Sequence, residues 1–281
     1  MEGLIIKNIS NDYVVKSNNK EYKCKARGKF RLEKSTPLVG DKVIFDENNN
    51  YILKIFSRKN YLIRPSVANI DIALIVTSVK NPNLDTNLLD KLLTIVSYNN
   101  IEPIVCFTKL DLLNNTEKET INKYINYYKK IGYKVVTNEK KDNFNNLFKN
   151  KIVVLTGQSG AGKSSLLNKL DSSLNLKTNE ISYALNRGKH TTRHTELYEI
   201  LDGYIVDTPG FSQVDFNGMT KTDISHNMKD IFDNSHYCKY KDCLHIKEDN
   251  CYVKEQVEKG IILKSRYENY KQFIESIKDI R

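Results

Sequence analysis

The sequence predicts a multi-domain protein with an N-terminal all-β barrel of the oligonucleotide-binding (OB) type, a central α/β domain and a C-terminal, mainly α domain. Three observations support this prediction. The chain has 281 residues, more than one average domain. Its apolar pattern changes from short strands to strands that alternate with helices. Its last part places three of the five cysteines beside a histidine. The predicted domains span residues 1–64, 65–214 and 215–281.

The N-terminal region contains short strand-like segments that are separated by Asn, Gly and Asp turn residues. These segments are GLIIKNI, DYVVKS, EYKCKARGKFRL, KVIFD and YILKIF. None has a helical period, and closed barrels of this size commonly bind oligonucleotides. Strand number alone leaves an SH3-like topology open as an alternative; we favour the OB type.

Positive charge is concentrated in this same region. The whole chain has a formal charge of +10, and residues 1–64 hold 14 basic against 7 acidic side chains. In the segment KCKARGKFRL, basic residues occur at every second position, which predicts one strand with a cationic face. Such a face suits the phosphates of a nucleic acid, and a merely solvated basic strand is the alternative. The predicted RNA-binding residues are Lys23, Lys25, Arg27, Lys29 and Arg31.

From about residue 66, apolar strands alternate with helical segments, which indicates a parallel sheet. We expect strands at IDIALIVTSV, EPIVCF, KVVT, KIVVLTG, TELYEIL and GYIVDTP, and a helix at about 163–170. The Asn-rich residues 143–146 are expected to form a surface loop. A charged amphipathic segment at about 262–280 is predicted to end the C-terminal domain.

The segment GQSGAGKS fits the phosphate-binding pattern G-x-x-x-x-G-K-S/T. It follows a buried strand and opens a helix, which is the context that this P-loop needs. We expect its N–H groups to bind phosphates, with Lys163 at the β and γ oxygens and Ser164 on Mg²⁺. The predicted nucleotide-binding residues of this segment are Gly157, Gln158, Ser159, Gly160, Ala161, Gly162, Lys163, Ser164 and Ser165.

Two further segments suggest how a nucleotide is read. Asp207-Thr-Pro-Gly210 ends a strand, where the carboxylate can hold the Mg²⁺ water shell and the glycine N–H can contact a γ-phosphate, although such tetrapeptides are also common turns. Thr108-Lys109-Leu110-Asp111 ends another strand, and an ordinary turn is again the alternative. Asp111 could accept the two N–H donors of guanine, which adenine lacks, while Lys109 stacks on the purine. The motif therefore predicts GTP as the ligand.

The C-terminal domain carries a candidate metal site. Cys238, Cys243, His245 and Cys251 offer three thiolates and one imidazole, the complement of a closed structural zinc site. Reduced free cysteines and a disulfide are the alternatives, and His236 is an alternative fourth ligand. A catalytic zinc is not expected, because this set leaves no open coordination position.

The base motif precedes the P-loop, which is the reverse of the order in Ras-like GTPases, and so predicts a circularly permuted GTPase domain. With the barrel and the Cys/His domain, the chain resembles the bacterial ribosome small-subunit-dependent GTPase A family over essentially its whole length. The matching segments are TKLD at 108–111, GQSGAGKSSLLN from 157, GKHTTRH from 188, DTPGF from 207 and the Cys238, Cys243, His245, Cys251 spacing.

The resemblance assigns further residues. It implies that GKHTTRH is switch I, in which His190 positions the attacking water and Thr191 or Thr192 meets Mg²⁺ or the γ-phosphate. Phe211 stands where Ras-like enzymes have a glutamine, so another group must orient that water. It also implies His245 as the fourth zinc ligand. Thr108 replaces the asparagine that is usual in GTPases, which predicts modest guanine affinity.

The resemblance implies a GTPase that binds the small ribosomal subunit and its rRNA, is stimulated by the subunit, and hydrolyses GTP to GDP during late small-subunit maturation. It implies one structural Zn²⁺ per chain and Mg²⁺ with GTP. A constitutive RNA-binding module and an unrelated GTP- or ATP-using metabolic enzyme are the alternatives. The first 20 residues resemble no signal peptide, and we see neither a membrane-length apolar run nor a heptad run. We therefore expect a cytoplasmic monomer without a membrane partner.

Overall fold

The structure is a computed structural model and describes residues 1–10, 12–32, 35–62, 66–139, 142–171, 195–206 and 215–277. The predicted fold class is confirmed: a closed barrel is followed by a P-loop domain with a central sheet and by helices around a Cys/His cluster. Within the described ranges, no helix is both long and apolar enough to span a bilayer.

The barrel is formed by five strands, β1 (Glu2–Ile9), β2 (Asp12–Ser17), β3 (Lys20–Ala26), β4 (Lys42–Asp46) and β5 (Tyr51–Ile55). Their order is β1-β2-β3-β5-β4, and β1 pairs with β4 to close the barrel. Alternate side chains point inward and form its core, including Ile5, Val15, Val43, Phe45 and Ile52, all fully buried.

The prediction of a single strand through KCKARGKFRL is wrong beyond Ala26. The strand β3 ends there, and Lys29–Leu32 form a short helix, α1. A turn in which Phe30 N donates to Arg27 O at 3.1 Å allows Phe30 to enter the apolar core of the barrel. Burial of this ring outweighs the alternation of the sequence. Lys23, Lys25, Arg27 and Lys29 are exposed, but they do not form one row along a strand, and Arg31 lies within α1.

The central sheet has six strands in the order β10-β9-β8-β11-β13-β12. A two-stranded hairpin of β6 (Tyr61–Leu62) and β7 (Val67–Ala68) precedes it. All neighbours in the sheet pair in parallel except β12 and β13. Every residue of β8 is buried, as expected for a strand covered on both faces. The bounds are β8 (Ile72–Ser78), β9 (Glu102–Thr108), β10 (Lys134–Thr137), β11 (Ile152–Gly157), β12 (Leu197–Ile200) and β13 (Gly203–Val206).

Four helices flank this sheet in the described ranges: α2 (Thr86–Tyr98), α3 (Asn115–Lys130), α4 (Asp142–Phe148) and α5 (Lys163–Leu170). The expected loop at residues 143–146 is wrong, because these residues lie in α4. Phe144, Leu147 and Phe148 are buried in the core on one face of the sheet. This packing outweighs the low helix propensity of asparagine.

The C-terminal part contains α6 (Lys221–Asn227), α7 (Lys229–Ser235), α8 (Tyr252–Glu258) and α9 (Lys264–Ser276). Its apolar cluster includes Ile231, Tyr270 and Phe273, together with Ile95 from α2. The C-terminal helices therefore share a core with a helix of the central domain.

Candidate nucleotide-binding and metal sites

The phosphate motif and the base motif lie at the same edge of the central sheet. The strand β8 runs between β9 and β11, with Ser78 opposite Thr108 and Val76 opposite Gly157. The carboxyl ends of β9 and β11 therefore lie on either side of β8 at the same edge of the sheet, although their motifs are distant in sequence. Open parallel sheets bind ligands at this edge.

The glycines of the P-loop allow its curvature. Gly157 and Gly162 have φ angles of +128° and +88°, values that side-chain-bearing residues rarely adopt. A Cβ on Gly157 would lie 1.9 Å from Val76 O, so no other residue fits against β8. Gly162 directly precedes α5, whose N-terminal N–H groups face the loop. The loop and helix form the anion-binding geometry that the pattern predicts.

Lys163 lies inside the curve of the loop. Its Nζ donates to Gly157 O at 2.9 Å and to Gln158 O at 2.7 Å. Burial lowers the pKa of Lys163, because a cation that has lost water is less stable. An anionic phosphate is the partner that would offset this loss. Ser164 is buried beside it in the first turn of α5, while Ser159 and Ser165 are exposed.

The hydroxyl of Thr108 connects the base motif to the P-loop. Thr108 is only 1% exposed, and its Oγ1 donates to Ala161 O at 2.6 Å. The same oxygen lies 3.3 Å from Thr77 O on β8. Threonine thus supplies a brace to the P-loop at the position where asparagine is usual in GTPases.

The rest of the base motif projects from the end of β9. Lys109 has a φ of +64° and precedes a turn at Leu110–Leu112. Asp111 is exposed in that turn, at the sheet edge. The Lys109 ammonium donates to Asn81 O.

A loop that the sequence analysis missed lies between the two motifs. It covers residues 79–85, after β8. Asn81 O accepts from Lys109, and Asn83 O accepts from Gln158 Nε2 at 3.3 Å. Both contacts use backbone carbonyls, which have no sequence pattern of their own. From the sequence, only the adjacency of β8 to both motif-bearing strands could have suggested that this loop contacts the two motifs.

Several predicted residues lie outside the described ranges. They are His190, Thr191, Thr192, Asp207 and Gly210. The strand β13 ends at Val206, which lies opposite Val154 of β11, and the DTPG segment follows it directly in the sequence.

The predicted cysteine and histidine residues come together in space. The ligand atoms of Cys238, Cys243, His245 and Cys251 all lie within 4.8 Å of one another. The Sγ atom of Cys251 is 3.7 Å from Cys243 Sγ, 3.8 Å from Cys238 Sγ and 3.3 Å from His245 Nδ1. A tetrahedral zinc ion with bonds of about 2.3 Å to sulfur and about 2.0 Å to nitrogen spaces its ligands by about 3.5–3.8 Å. The cluster therefore fits a metal ion of this kind.

A bound metal would also change the protonation of these side chains. Burial raises the pKa of Cys243 to about 12 and lowers the pKa of His245 to about 4. A coordinated cation removes the thiol proton and binds the neutral imidazole. His236 is not part of the cluster; its ring packs against Phe232 with 4.7 Å between ring centroids.

Hydrogen bonds hold the backbone of the cluster. The Glu248 carboxylate accepts from Leu244 N at 2.7 Å and from Ile246 N at 2.9 Å. Tyr267 and Tyr270 on α9 donate to His245 O at 2.6 Å and to Leu244 O at 2.7 Å. The metal-ligand loop is thereby attached to the last described helix.

Comparison with protein families gives the same domain order. Residues 55–217 match the RsgA GTPase model, and residues 2–52 match the RsgA N-terminal domain model. The chain belongs to the RsgA GTPase family. The protein is therefore a GTPase, and RsgA-type GTP hydrolysis is its activity.

Curated relatives match over almost the full chain. The small ribosomal subunit biogenesis GTPase RsgA of Bacillus cereus is 45% identical over 99% of this chain and 98% of its own length. The protein of the same name from Enterococcus faecalis is 43% identical over 100% of this chain and 97% of its own.

Solved structures confirm the circular permutation. YloQ, described as a circularly permuted GTPase, has a TM-score of 0.83 and 37% identity, covering 100% of this chain and 96% of its own. YjeQ from Thermotoga maritima has a TM-score of 0.82 and 32% identity, covering 99% of both chains.

Proposed function

We propose that this GTPase binds the small ribosomal subunit and its rRNA, and that it hydrolyses GTP to GDP during late maturation of that subunit. The observation that carries the proposal is the meeting of the P-loop and TKLD motifs at one sheet edge, in a chain whose relatives are named for small-subunit biogenesis. The domain boundaries at residues 64/65 and 214/215, a monomeric state and a cytoplasmic location are part of the proposal.

In this proposal the phosphates occupy the curve of the P-loop. Lys163 exchanges its two carbonyl partners for β- and γ-phosphate oxygens, and the N–H groups before α5 bind the β-phosphate. Ser164, in the first turn of α5, would hold Mg²⁺, which supplies charge neutralisation to the phosphates. Asp207, Gly210, Thr191 and Thr192 are proposed to complete the γ-phosphate side.

Guanine would be recognised at the carboxyl end of β9. Asp111 lies in a turn at the sheet edge, where its carboxylate can accept both guanine donors. The Lys109 stem would cover one face of the purine. Thr108 keeps this motif and the P-loop at a fixed spacing through its hydrogen bond to Ala161 O.

The metal of the C-terminal cluster is proposed to be zinc. Three thiolates and one imidazole in tetrahedral spacing match a structural zinc site better than a magnesium or calcium site, which would use oxygen ligands. The ion would cross-link a loop that is otherwise held by hydrogen bonds and by apolar packing, so its role is to stabilise this part of the fold.

The barrel is proposed to contact rRNA. Lys23, Lys25, Arg27 and Lys29 are exposed around the end of β3 and α1, and Arg31 lies in the same short helix. The barrel also contacts the central domain close to the predicted switch I, because Asn8 N donates to Thr195 O at 3.2 Å and Lys7 pairs with Glu196 at 2.8 Å. RNA on the barrel could in this way influence the segment that ends at residue 194.

The test is steady-state hydrolysis of GTP and of ATP by the purified protein, alone, with small ribosomal subunits and with large subunits as the control. We expect stimulation by small subunits for GTP only. Hydrolysis of GTP without stimulation by either subunit would contradict the proposed partner. A Lys163→Ala protein that still supports subunit maturation would favour a constitutive RNA-binding module instead.

A further inference from the structure

A buried arginine joins the C-terminal helices to α2. Arg266 on α9 is 1% exposed, and its Nε donates to both carboxylate oxygens of Asp230 at 2.7 and 2.8 Å. The same guanidinium donates to Asp90 on α2. Asp90 also accepts from Tyr128 Oη and from Asn269 Nδ2, each at 2.7 Å. One network thus connects helices α2, α3, α7 and α9.

This network restricts the position of α2. Asp90 is completely buried, and burial raises the pKa of Asp90, which Arg266 opposes. A shift of α2 away from α9 would leave a charged group buried without its partner, which is strongly unfavourable. Two contacts of neighbouring α2 residues also hold this helix in place. Asn87 donates to Gln272 Oε1 at 2.8 Å, and Lys91 pairs with Asp215 at 2.9 Å.

The N-terminal end of α2, about one turn before Asp90, leads into a loop at the nucleotide site. The side chain of Asp85 caps the helix by accepting from Leu88 N at 2.9 Å, so the preceding loop and the helix are continuous. In that loop, Asn81 O contacts the Lys109 ammonium and Asn83 O contacts Gln158 Nε2. The loop therefore touches the base motif and the P-loop at once.

We propose that Arg266 is a positioning residue for nucleotide binding: through Asp90 and α2, it fixes residues 81–83 against Lys109 and Gln158. The proposal rests on the nucleotide site proposed above. Docking of the C-terminal helices then sets nucleotide affinity, and bound nucleotide strengthens that docking by the same factor.

This coupling through Asp90 and α2 predicts a specific pattern of nucleotide affinities. Residues 81–83 touch the base motif and the first half of the P-loop, which serve GDP and GTP alike. Loosening α2 should therefore weaken the binding of GDP and of GTP by the same factor. Coupling through the segments that contact the γ-phosphate would instead weaken the binding of GTP alone. Once the site is saturated, the rate of hydrolysis should change little, because Arg266 contacts none of the proposed reacting groups.

The experiment measures the Kd of a fluorescent GDP and of a non-hydrolysable GTP analogue for wild type, Arg266→Met and Arg266→Lys. We expect Arg266→Met to raise both Kd values about fivefold or more, in equal proportion, with kcat within about twofold of wild type because no transition-state contact is lost. Arg266→Lys keeps the charge and should recover part of the affinity. Lys271→Ala is the matched control, since Lys271 lies on the same helix and pairs with Glu268 rather than with α2.

A second variant keeps the proposal falsifiable if Arg266→Met does not fold. The double change Asn87→Ala and Gln272→Ala removes the hydrogen bonds that Asn87 donates to Gln272 and Asn269 on α9, and it spares the buried charges. It should raise both Kd values in the same ratio, by a smaller factor. Unchanged Kd values in a folded, metal-loaded variant, or a rise for the GTP analogue alone, would overturn the proposal. Wild-type protein that binds neither nucleotide would overturn the nucleotide site itself.

Discussion

Removal of the Thr108 hydroxyl tests the brace between the base motif and the P-loop. Valine has almost the shape of threonine, so Thr108→Val deletes the donor and leaves the packing of this 1%-exposed residue in place. Its hydrogen bond to Ala161 O is 2.6 Å long. After the change, that carbonyl loses its side-chain partner at a buried residue of the loop.

The size of the effect follows from this arrangement. A lost hydrogen bond with a buried acceptor left behind costs about 1–2 kcal/mol. If the loop must recover its curvature on binding, the same free energy is subtracted from nucleotide binding. The Kd for GTP and for GDP should then each rise about 5- to 30-fold.

The assay is equilibrium titration with a fluorescent GDP and competition with GTP. Ser17→Ala is the matched control, because Ser17 Oγ also donates to a backbone carbonyl at 2.6 Å, but within the barrel. Thermal unfolding of both variants shows that each is folded. An unchanged Kd in folded Thr108→Val would show that the P-loop keeps its shape without the brace and that the hydroxyl does not support nucleotide binding.

Four further predictions concern other parts of the protein. Asp111→Asn should weaken GTP binding by about 2 kcal/mol or more, since an amide cannot accept both guanine donors. Titration with GTP and with ATP checks whether the preference for GTP over ATP is lost. Cys243→Ser should lower the metal content, by elemental analysis, from about one zinc per chain and lower the melting temperature. His190→Ala should slow hydrolysis while GTP binding stays nearly intact, and an unchanged turnover would contradict this role. The Lys91 ammonium lowers the pKa of Asp215. This ion pair therefore stabilises the fold at pH values above the ordinary carboxyl pKa, and the stabilisation is lost as the pH falls through the lowered pKa. Asp215→Asn should reduce this pH dependence of stability by less than about 1 kcal/mol, as measured by melting curves at several pH values.

Elements with strong local patterns were predictable from the sequence. The helix at 163–170 begins at Lys163 and ends at Leu170 as expected, because the glycine loop and the apolar positions determine both ends. The Cys/His set was also predictable, since metal ligands need particular side chains at short spacings and the structure brings all four together.

Tertiary packing decided what the sequence could not show. Phe30 ends the alternating basic segment because its ring enters the barrel core, and Phe144 draws an Asn-rich segment into a helix. The loop at residues 79–85 contacts the nucleotide site through carbonyl oxygens, which every residue has. The network around Arg266 joins residues far apart in sequence, and no periodicity links them.

The circular permutation has a consequence for how the chain is made. The strand β8 lies inside the central sheet, yet it is synthesised first of the six strands, and its neighbour β11 begins only at Ile152. Until then, a strand made mostly of apolar residues has one edge without a hydrogen-bonding partner, and such edges promote aggregation of nascent chains. Insertion of β11 closes this edge and forms the P-loop in the same step. Capacity to bind nucleotide therefore arises together with protection of the sheet during synthesis.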